Sequence, residues 1–187
     1  ARPEQNLREL SISAMGTVMT HGVSEFTDPA TLPHPSFYLR STPLAEPHPR
    51  MALWAMQAVP ALMAARARGE LPSVADLVAL ASAVADKVQY RKGSTGVETT
   101  ALEAFDWELG VCQDQAHVMV AVCRSIGLPA RYVSGYFYAA NEPDLASHAW
   151  AEIHVSQLGW VGFDAANRIC PDERYVRVAV GRDYRDA

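Results

Sequence analysis

The chain has 187 residues, a hydrophobic content of 49% and a formal net charge of -5. Such a length suits one domain of ordinary size with, at most, a fragment of a second. The apolar content is high enough for a packed core, which excludes a disordered chain. The acidic balance and the scattered basic residues argue against nucleic acid as the main partner, because phosphate binding needs a concentrated basic face.

Three cysteines, Cys112, Cys123 and Cys170, form neither a disulfide framework nor the paired spacing of a zinc site. A small, odd number of cysteines is typical of proteins in a reducing compartment, so we expect a cytoplasmic location. The chain begins with Ala1 instead of methionine, so we expect the natural N-terminus, with any signal peptide, to lie upstream.

The apolar run at residues 51–65 raises the question of a membrane span. It is interrupted by Pro60 and is shorter than the roughly 20 residues that a bilayer requires. We therefore expect no membrane span here, and we interpret the run as part of a buried helix.

The N-terminal part of the chain carries short stretches at 10–14 and 16–20 in which apolar and polar residues alternate, and these predict two β-strands. Two strands alone do not make a stable sheet, so we expect the end of a β domain that starts upstream. Prolines recur between residues 29 and 49 and predict a linker or a surface loop. We therefore assign residues 1–45 to a remnant of an N-terminal β domain with its linker, and residues 46–187 to the main domain.

Two helices are predicted next. The apolar run predicts one helix over 50–67, ended by Gly69. Ser73 is followed three residues later by Asp76, an acidic version of the capping box, which predicts a second helix over 73–89. Polar residues and glycines predict a loop over 90–100.

The stretch GVCQDQAH, residues 110–117, opens the most informative helix. Gly127 and Pro129 predict where this helix ends. We therefore expect a helix over 112–126, with Cys112 in its first turn. Apolar or small residues recur along it at a spacing that places them on one buried face, at Ala116, Met119, Cys123 and Ile126.

Aromatic and β-branched residues predict a strand over 130–138, and two further strands over 147–155 and 160–165 are joined by a short hairpin turn. Helices followed by consecutive strands favour an α+β fold, with an antiparallel sheet packed against the cysteine helix. The C-terminal residues mix positive and negative charges, and we interpret them as solvated surface.

Two interpretations of Cys112 remain open at this point. It is either a core residue, as free cysteines often are, or a nucleophile. At a helix N-terminus, unpaired N–H groups and the helix dipole favour the thiolate, which is the reactive form. The same N–H groups can hold an oxyanion, and Gly110, which lacks a Cβ, would leave room for a substrate.

A cysteine nucleophile needs a base, and the base needs a group that orients it. His148 and Asp164 lie on either side of the predicted hairpin turn. Because side chains alternate along a strand, their even separation allows both to lie on one face. A turn centred near Ser156 would place them directly opposite each other, whereas a register slip would separate them.

Residues 90–168 resemble the transglutaminase-like superfamily, in particular its bacterial members described as candidate cysteine proteases. Three motifs in order carry the resemblance: GVCQDQAHVMVAVCRSIGLPARYVSGY (110–136), SHAWAEIHV (147–155) and GWVGFDAANR (159–168). The resemblance implies a papain-like core in which Cys112 is the nucleophile, His148 the general base and acid, and Asp164 the residue that orients His148. Where relatives often have Asp-Pro-Thr-Asn, this chain has Asp-Ala-Ala-Asn, residues 164–167.

Other residues are weaker candidates around this triad. The backbone N–H of Cys112 is the expected oxyanion donor, and the further oxyanion or substrate candidates are Gly110, Gln113, Tyr90, Trp150 and Trp160. Trp150 and Trp160 are predicted to shield the His148–Asp164 pair from water.

The remaining histidines are not assigned to a metal site. We expect His117 to make a local hydrogen bond. His154 shares a strand face with His148, but no third ligand has a spacing suited to zinc. We expect no metal and no cofactor.

The resemblance implies acyl transfer from a peptide or glutamine-type amide through a thioester. Water as the acceptor makes the enzyme a peptidase or amidase, which we favour; an amine makes it a protein-glutamine transglutaminase. Acyl transfer to an arylamine would use the same triad, but no coenzyme-binding motif is present. A non-catalytic binding or scaffold module is the remaining alternative, and the oligomeric state stays open.

Overall fold

The computed structural model describes residues 15–21, 33–139, 147–155 and 158–187. After a 3₁₀ turn at Pro35–Leu39, the described residues form the α-helices α1 (Pro49–Ala58), α2 (Pro60–Ala67), α3 (Val74–Lys87), α4 (Ala101–Trp107) and α5 (Cys112–Ser125). They also form the strands β1 (Gln89–Tyr90), β2 (Leu109–Gly110), β3 (Ala130–Phe137), β4 (Ser147–Val155), β5 (Gly159–Phe163) and β6 (Tyr175–Gly181).

A four-stranded antiparallel sheet, in the order β5-β4-β3-β6, packs against α5. The side chains of β4 alternate, so that Ala149, Ala151 and Ile153 face the interior, while His148 and Trp150 point to the other side. All residues of α5 from Asp114 to Arg124 are buried. The predicted α+β fold, with the cysteine helix on an antiparallel sheet, is confirmed.

The helix predicted over 50–67 is wrong in one respect, because it is two helices. The α1 helix ends at Ala58, and α2 begins with Pro60 as its first residue. Proline has no N–H to continue the α1 hydrogen-bond ladder, and its ring clashes with the carbonyl four residues earlier. The α3 helix agrees with its prediction, and its capping box between Ser73 and Asp76 is formed in both directions.

Three short elements between α3 and α5, the helix α4 and the strands β1 and β2, were not predicted. Thr100 and Glu103 form a capping box that starts α4, a helix too short to show a clear apolar period. The two-residue strands β1 and β2 pair in parallel, which sets Tyr90 beside Gly110 at the entrance to α5. The predicted loop therefore contributes backbone to the base of the cysteine helix.

Of the two strands predicted near the N-terminus, only the second lies within the described residues. The stretch at 10–14 lies outside the described residues. The stretch at 16–20 is exposed and has no regular secondary structure, so that prediction is wrong: no neighbouring strand pairs with it among the described residues. Tyr38, Leu44 and Ala45 are buried against the main domain, and the domain boundary at residue 45 stays a prediction.

The C-terminal segment is not simply solvated surface, which corrects the sequence interpretation. β6 is the edge strand beside β3, and the pairing shifts register between Ser134 and Gly135. A Cβ on Gly135 would lie 2.2 Å from the Val176 carbonyl oxygen and 2.7 Å from the Trp150 ring, so only glycine allows the two strands to approach here. The mixed charges in this segment obscured the alternation of side chains that would have predicted β6 from the sequence.

Arg124, buried in α5, ties distant segments together. Its guanidinium donates hydrogen bonds to backbone carbonyls before α1, at the start of β3 and after β6, which are those of Tyr38, Ala45, Ala130 and Arg182. These bonds satisfy backbone carbonyls in segments that are far apart in the sequence. Within the described residues, no helix is both long enough and apolar enough to cross a membrane.

Candidate active site

Cys112 is the first residue of α5 and is half-buried. The helix start is fixed by Asp114, whose Oδ2 accepts hydrogen bonds from the Val111 N–H at 2.7 Å and from the Thr95 hydroxyl at 2.6 Å. Burial acts to raise the pKa of Asp114, against the opposing effect of these hydrogen bonds. A side chain two residues after the cysteine thus anchors both the helix entrance and the loop before α4.

Gly110 serves this helix cap, and its expected role of leaving room for a substrate stays a prediction. A Cβ at this position would lie 2.6 Å from the Asp114 Cβ and 2.9 Å from its Oδ2. Real Cβ atoms do not approach so closely, and the space is already taken by the capping carboxylate. Glycine is therefore needed here so that Asp114 can reach Val111.

His148 and Asp164 meet, although not as a directly opposed pair. The Nε2 atom of His148 lies 2.6 Å from Oδ2 of Asp164. The β4–β5 register pairs Ala151 with Phe163, so Asp164 follows the strand level with Trp150. The direct opposition that a turn centred near Ser156 would give therefore does not occur, and the contact is a diagonal one across the hairpin.

The carboxylate of Asp164 is fully buried and receives two further hydrogen bonds at the same oxygen. The Tyr175 hydroxyl and the Asn167 side-chain amide each donate to Oδ2 at 2.7 Å. Burial acts to raise the pKa of Asp164, but the hydrogen bond and charge of His148, followed by the bonds from Tyr175 and Asn167, hold it below its usual range. The group is therefore a carboxylate at neutral pH.

Sequence reasoning did not assign Tyr175 or Asn167 to the site. The contact of Asn167 could have been predicted from the sequence, since Asp side chains commonly bind the backbone N–H of a turn residue that follows closely. The Asn167 N–H indeed donates to Asp164 Oδ1 at 3.2 Å. The contact of Tyr175 with Asp164 could not have been predicted in this way, because β6 was not predicted and the contact depends on the tertiary fold.

His148 holds a proton more tightly than an ordinary histidine. Burial acts to lower its pKa, but hydrogen bonding to Asp164 and to Cys112, together with their charges, raises the pKa to about 9. Because Nε2 faces Asp164, Nδ1 is the ring nitrogen left to exchange a proton with Cys112. The structure thus brings together Cys112, His148 and Asp164.

Aromatic rings surround the His148 imidazole. Trp150 stacks on it with centroids 6.2 Å apart, and Phe137 and Tyr175 lie at 5.7 and 6.0 Å. Trp160 does not join them, which corrects its predicted shielding role. Its ring packs 4.2 Å from the guanidinium carbon of Arg131, at the other end of the hairpin.

Two weaker candidates lie near the helix entrance. The Gln113 side-chain amide donates to the Val97 carbonyl at 3.2 Å, which holds the preceding loop against α5. Tyr90 is 57% exposed and pairs through its backbone with Gly110. Their roles at an oxyanion or a substrate stay predictions.

His117, Cys123 and Cys170 belong to the packing of the domain. His117 is fully buried, and its Nε2 accepts a hydrogen bond from the distant Tyr184 N–H at 3.1 Å. Burial raises the pKa of Cys123 to about 12, and burial also raises the pKa of Cys170, so neither thiol ionises at neutral pH. Among the described residues, no group of three or more His, Cys, Asp and Glu side chains is arranged to hold a metal ion.

Comparisons with known proteins give a consistent picture. The family model of the Transglutaminase-like superfamily matches residues 61–165, a range that includes all three residues of the candidate triad. An uncharacterized protein of Mycobacterium leprae is 40% identical over 116 residues, which cover 59% of this chain and 41% of that protein. An uncharacterized protein of Mycobacterium tuberculosis (strain H37Rv) is 39% identical over 126 residues, or 62% and 40% of the two chains.

One solved structure is similar in both fold and sequence. It is "a Putative Cysteine Protease from Cytophaga hutchinsonii", which superimposes with a TM-score of 0.64 at 30% identity and covers 81% of this chain and 48% of that chain. The match covers less than half of each of these relatives' own length.

Proposed function

The chain belongs to the transglutaminase-like superfamily, and on that basis we propose that it is a cysteine-dependent acyl-transfer enzyme. Its proposed substrates are peptide or glutamine-type amides, and the reaction that we favour is hydrolysis, as in a peptidase or amidase. The observation that carries the proposal is the imidazole of His148, held between Asp164 and the Cys112 thiol at the start of α5. A nucleophile, a base and an orienting carboxylate in this order are the parts that such chemistry requires.

Because the pKa of His148 is raised to about 9, its Nδ1 already carries the proton of the Cys112 thiol before acylation, and the Cys112 thiolate attacks the amide carbon. The tetrahedral oxyanion receives a hydrogen bond from the Cys112 backbone N–H at the helix N-terminus. His148 then gives its proton to the leaving nitrogen, the C–N bond breaks, and a thioester and a free amine result. Asp164 stays ionised throughout and holds the ring in place.

In the second step, His148 takes a proton from water, and the oxygen attacks the thioester. The carbon–sulfur bond breaks, the proton stays on His148 beside the Cys112 thiolate, and a carboxylic acid is released. An amine in place of water would give a new amide, which is the transglutaminase alternative. Hydrolysis is preferred because the Cytophaga relative, 30% identical, carries the name of a cysteine protease.

A peptide library tests the proposal. The protein is incubated with the library in the presence and absence of a primary amine, and mass spectrometry distinguishes cleavage, deamidation and amine incorporation. Cys112→Ala should abolish all three products, while Cys170→Ala, which removes a half-buried thiol away from the triad, should leave them. Activity that survives in Cys112→Ala would overturn the mechanism. Absence of any product, together with a Cys112 no more reactive than Cys170, would favour a scaffold module.

A further inference from the structure

Tyr175 contacts the carboxylate that holds His148, and the mechanism above gives it no part. It is the first residue of β6 and is 8% exposed. Its ring packs on the rings of Phe137 and Trp150, with centroids 4.7 and 5.4 Å away. Its hydroxyl lies 2.7 Å from Oδ2 of Asp164. The phenol is therefore fixed by packing along the ring and by a hydrogen bond at its tip.

The hydrogen of the Tyr175 hydroxyl points to Asp164. A carboxylate only accepts hydrogen bonds, so the Asn167 side chain faces Oδ2 with its nitrogen, at 2.7 Å. The same nitrogen donates to the Tyr175 oxygen at 3.2 Å, which leaves the hydroxyl hydrogen for Asp164. Burial, followed by the charge of Asp164, raises the pKa of Tyr175 above its usual range, so the phenol keeps this hydrogen at neutral pH.

Tyr175 and Asn167 compete with the imidazole for one carboxylate oxygen. Nε2 of His148 lies 2.6 Å from the same Oδ2 that receives the hydroxyl and the amide. Each hydrogen bond to an anion stabilises its negative charge and lowers its basicity. A carboxylate that already accepts two other hydrogen bonds therefore stabilises the imidazolium less than one that accepts none.

The competition bears on the step in which His148 loses a proton. With a pKa raised to about 9, the ring is an imidazolium at neutral pH, and its Nδ1 proton has to pass to the leaving amine. Asp164 acts on this proton through the ring, by stabilising the charged form. A stronger bond between Asp164 and the ring would make the imidazolium a weaker acid and would slow the transfer.

We propose that Tyr175 is a positioning residue that weakens the stabilisation of the His148 imidazolium by Asp164, so that the ring gives up its Nδ1 proton more readily. The inference rests on the proposed function, because it concerns the general acid of the same reaction. It assigns an effect opposite to that of simple support: the hydroxyl makes the histidine a stronger acid.

The test is an NMR titration of the His148 ring in Tyr175→Phe, which keeps the aromatic ring and loses only the hydroxyl. Both proteins carry Cys112→Ala, so that the coupled thiol does not add a second titration to that of the histidine. We expect the His148 midpoint to rise by about 0.5 to 1 pH unit, a part of what one hydrogen bond to a charged group contributes.

The direction of the shift separates this role from a structural one. Loss of packing alone would leave the midpoint in place, and entry of water would lower it towards the value of about 6.5 of an ordinary histidine. Either result would overturn the proposal. Tyr38→Phe is the matched control, because Tyr38 is also buried but packs against Trp160 at the other end of the hairpin, and its midpoint should not move.

A kinetic comparison with Cys112 in place adds a second readout. In Tyr175→Phe, single-turnover acylation by a peptide amide should be about two- to threefold slower, because the leaving amine takes its proton from a weaker acid. Acylation by an activated ester should keep its rate, because that leaving group departs as an anion. Equal slowing of both substrates would indicate lost geometry and would contradict the proposal.

Asn167→Ala covers the case in which Tyr175→Phe does not fold. Asn167 is exposed, and its amide donates to the same oxygen, so its removal should also raise the His148 midpoint. An unchanged or lower midpoint would refute the competition on which the role of Tyr175 depends. A raised midpoint in a protein that forms no product from the peptide library would refute the proposed function and leave the competition standing, so the two failures are distinct.

Discussion

His148 and Asp164 touch diagonally across the β4–β5 hairpin, Nε2 to Oδ2 at 2.6 Å, because Asp164 lies just past the last paired residue of β5. Its backbone no longer belongs to the β5 ladder; instead its N–H bonds to the Ile169 carbonyl at 2.9 Å. The side chain is thus free to turn towards the imidazole while the main chain remains anchored.

Asp164→Asn should leave the fold intact and reduce acylation by about 10³-fold or more, because an amide neither stabilises the imidazolium nor fixes the tautomer. The measurement is single-turnover acylation of a peptide ester or amide. Asp172→Asn is the matched control, since Asp172 is a surface residue paired with Arg174. Equal rates in Asp164→Asn and in the wild type would remove Asp164 from the mechanism.

The pH dependence of acylation follows from His148. Its pKa is raised to about 9, so the ring keeps the proton that the leaving amine needs until the pH approaches that value. We therefore expect the acylation rate to fall above about pH 9 with the loss of one proton. In Asp164→Asn the fall should begin at lower pH, because the main charge that holds the proton is gone. A wild-type rate still rising well above pH 9 would be inconsistent with His148 as the acid.

The stability of the domain should depend on pH through His117. Burial, with Arg124 acting in the same direction against Asp183, lowers its pKa from 6.5 to about 4. The unfolded chain therefore binds a proton that the folded state refuses, and the free energy of unfolding falls as the pH drops from about 6.5 to about 4, by about 3 kcal/mol in total.

Urea unfolding at a series of pH values measures this loss. His117→Gln keeps an acceptor for the Tyr184 N–H but has no titrating group, so its stability should vary less over the same window. If the two proteins lose stability in parallel between pH 6.5 and 4, then other groups are responsible.

Arg124→Met should destabilise the domain by about 3 kcal/mol or more, because backbone carbonyls in three segments lose their donor together while they remain buried. Arg50→Met is the control: Arg50 forms an exposed ion pair with Asp106 at 2.8 Å, which contributes at most about 1 kcal/mol. Thermal or urea unfolding of both variants compares them, and similar losses would contradict the assigned role of Arg124.

The features that the sequence predicts well are those with a local cause. The cysteine helix has a clear apolar face, and glycine marks its end, so its position is predictable to within a residue. The hairpin and its two strands follow from alternation and turn residues in the same way. The even spacing of His148 and Asp164 correctly indicated a shared face, even though the register differs by two residues and sets Asp164 level with Trp150.

What the sequence does not predict depends on distant parts of the chain. Tyr175 reaches Asp164 only because β6 returns to the sheet edge beside β3. Gly110 suggested an opening for a substrate, whereas its neighbour in space is Asp114, a contact that spacing alone does not reveal.

The single oxygen of Asp164 that receives His148, Tyr175 and Asn167 limits how the site can move. Three donors converging on one atom leave the carboxylate no second orientation of comparable energy, and a longer glutamate would displace all three. The His148 imidazole can then rotate only about its contact with Asp164 Oδ2, so it has little freedom to adapt to the position of a substrate. On the proposed mechanism, selectivity then depends on how a substrate brings its scissile bond to the Cys112 sulfur.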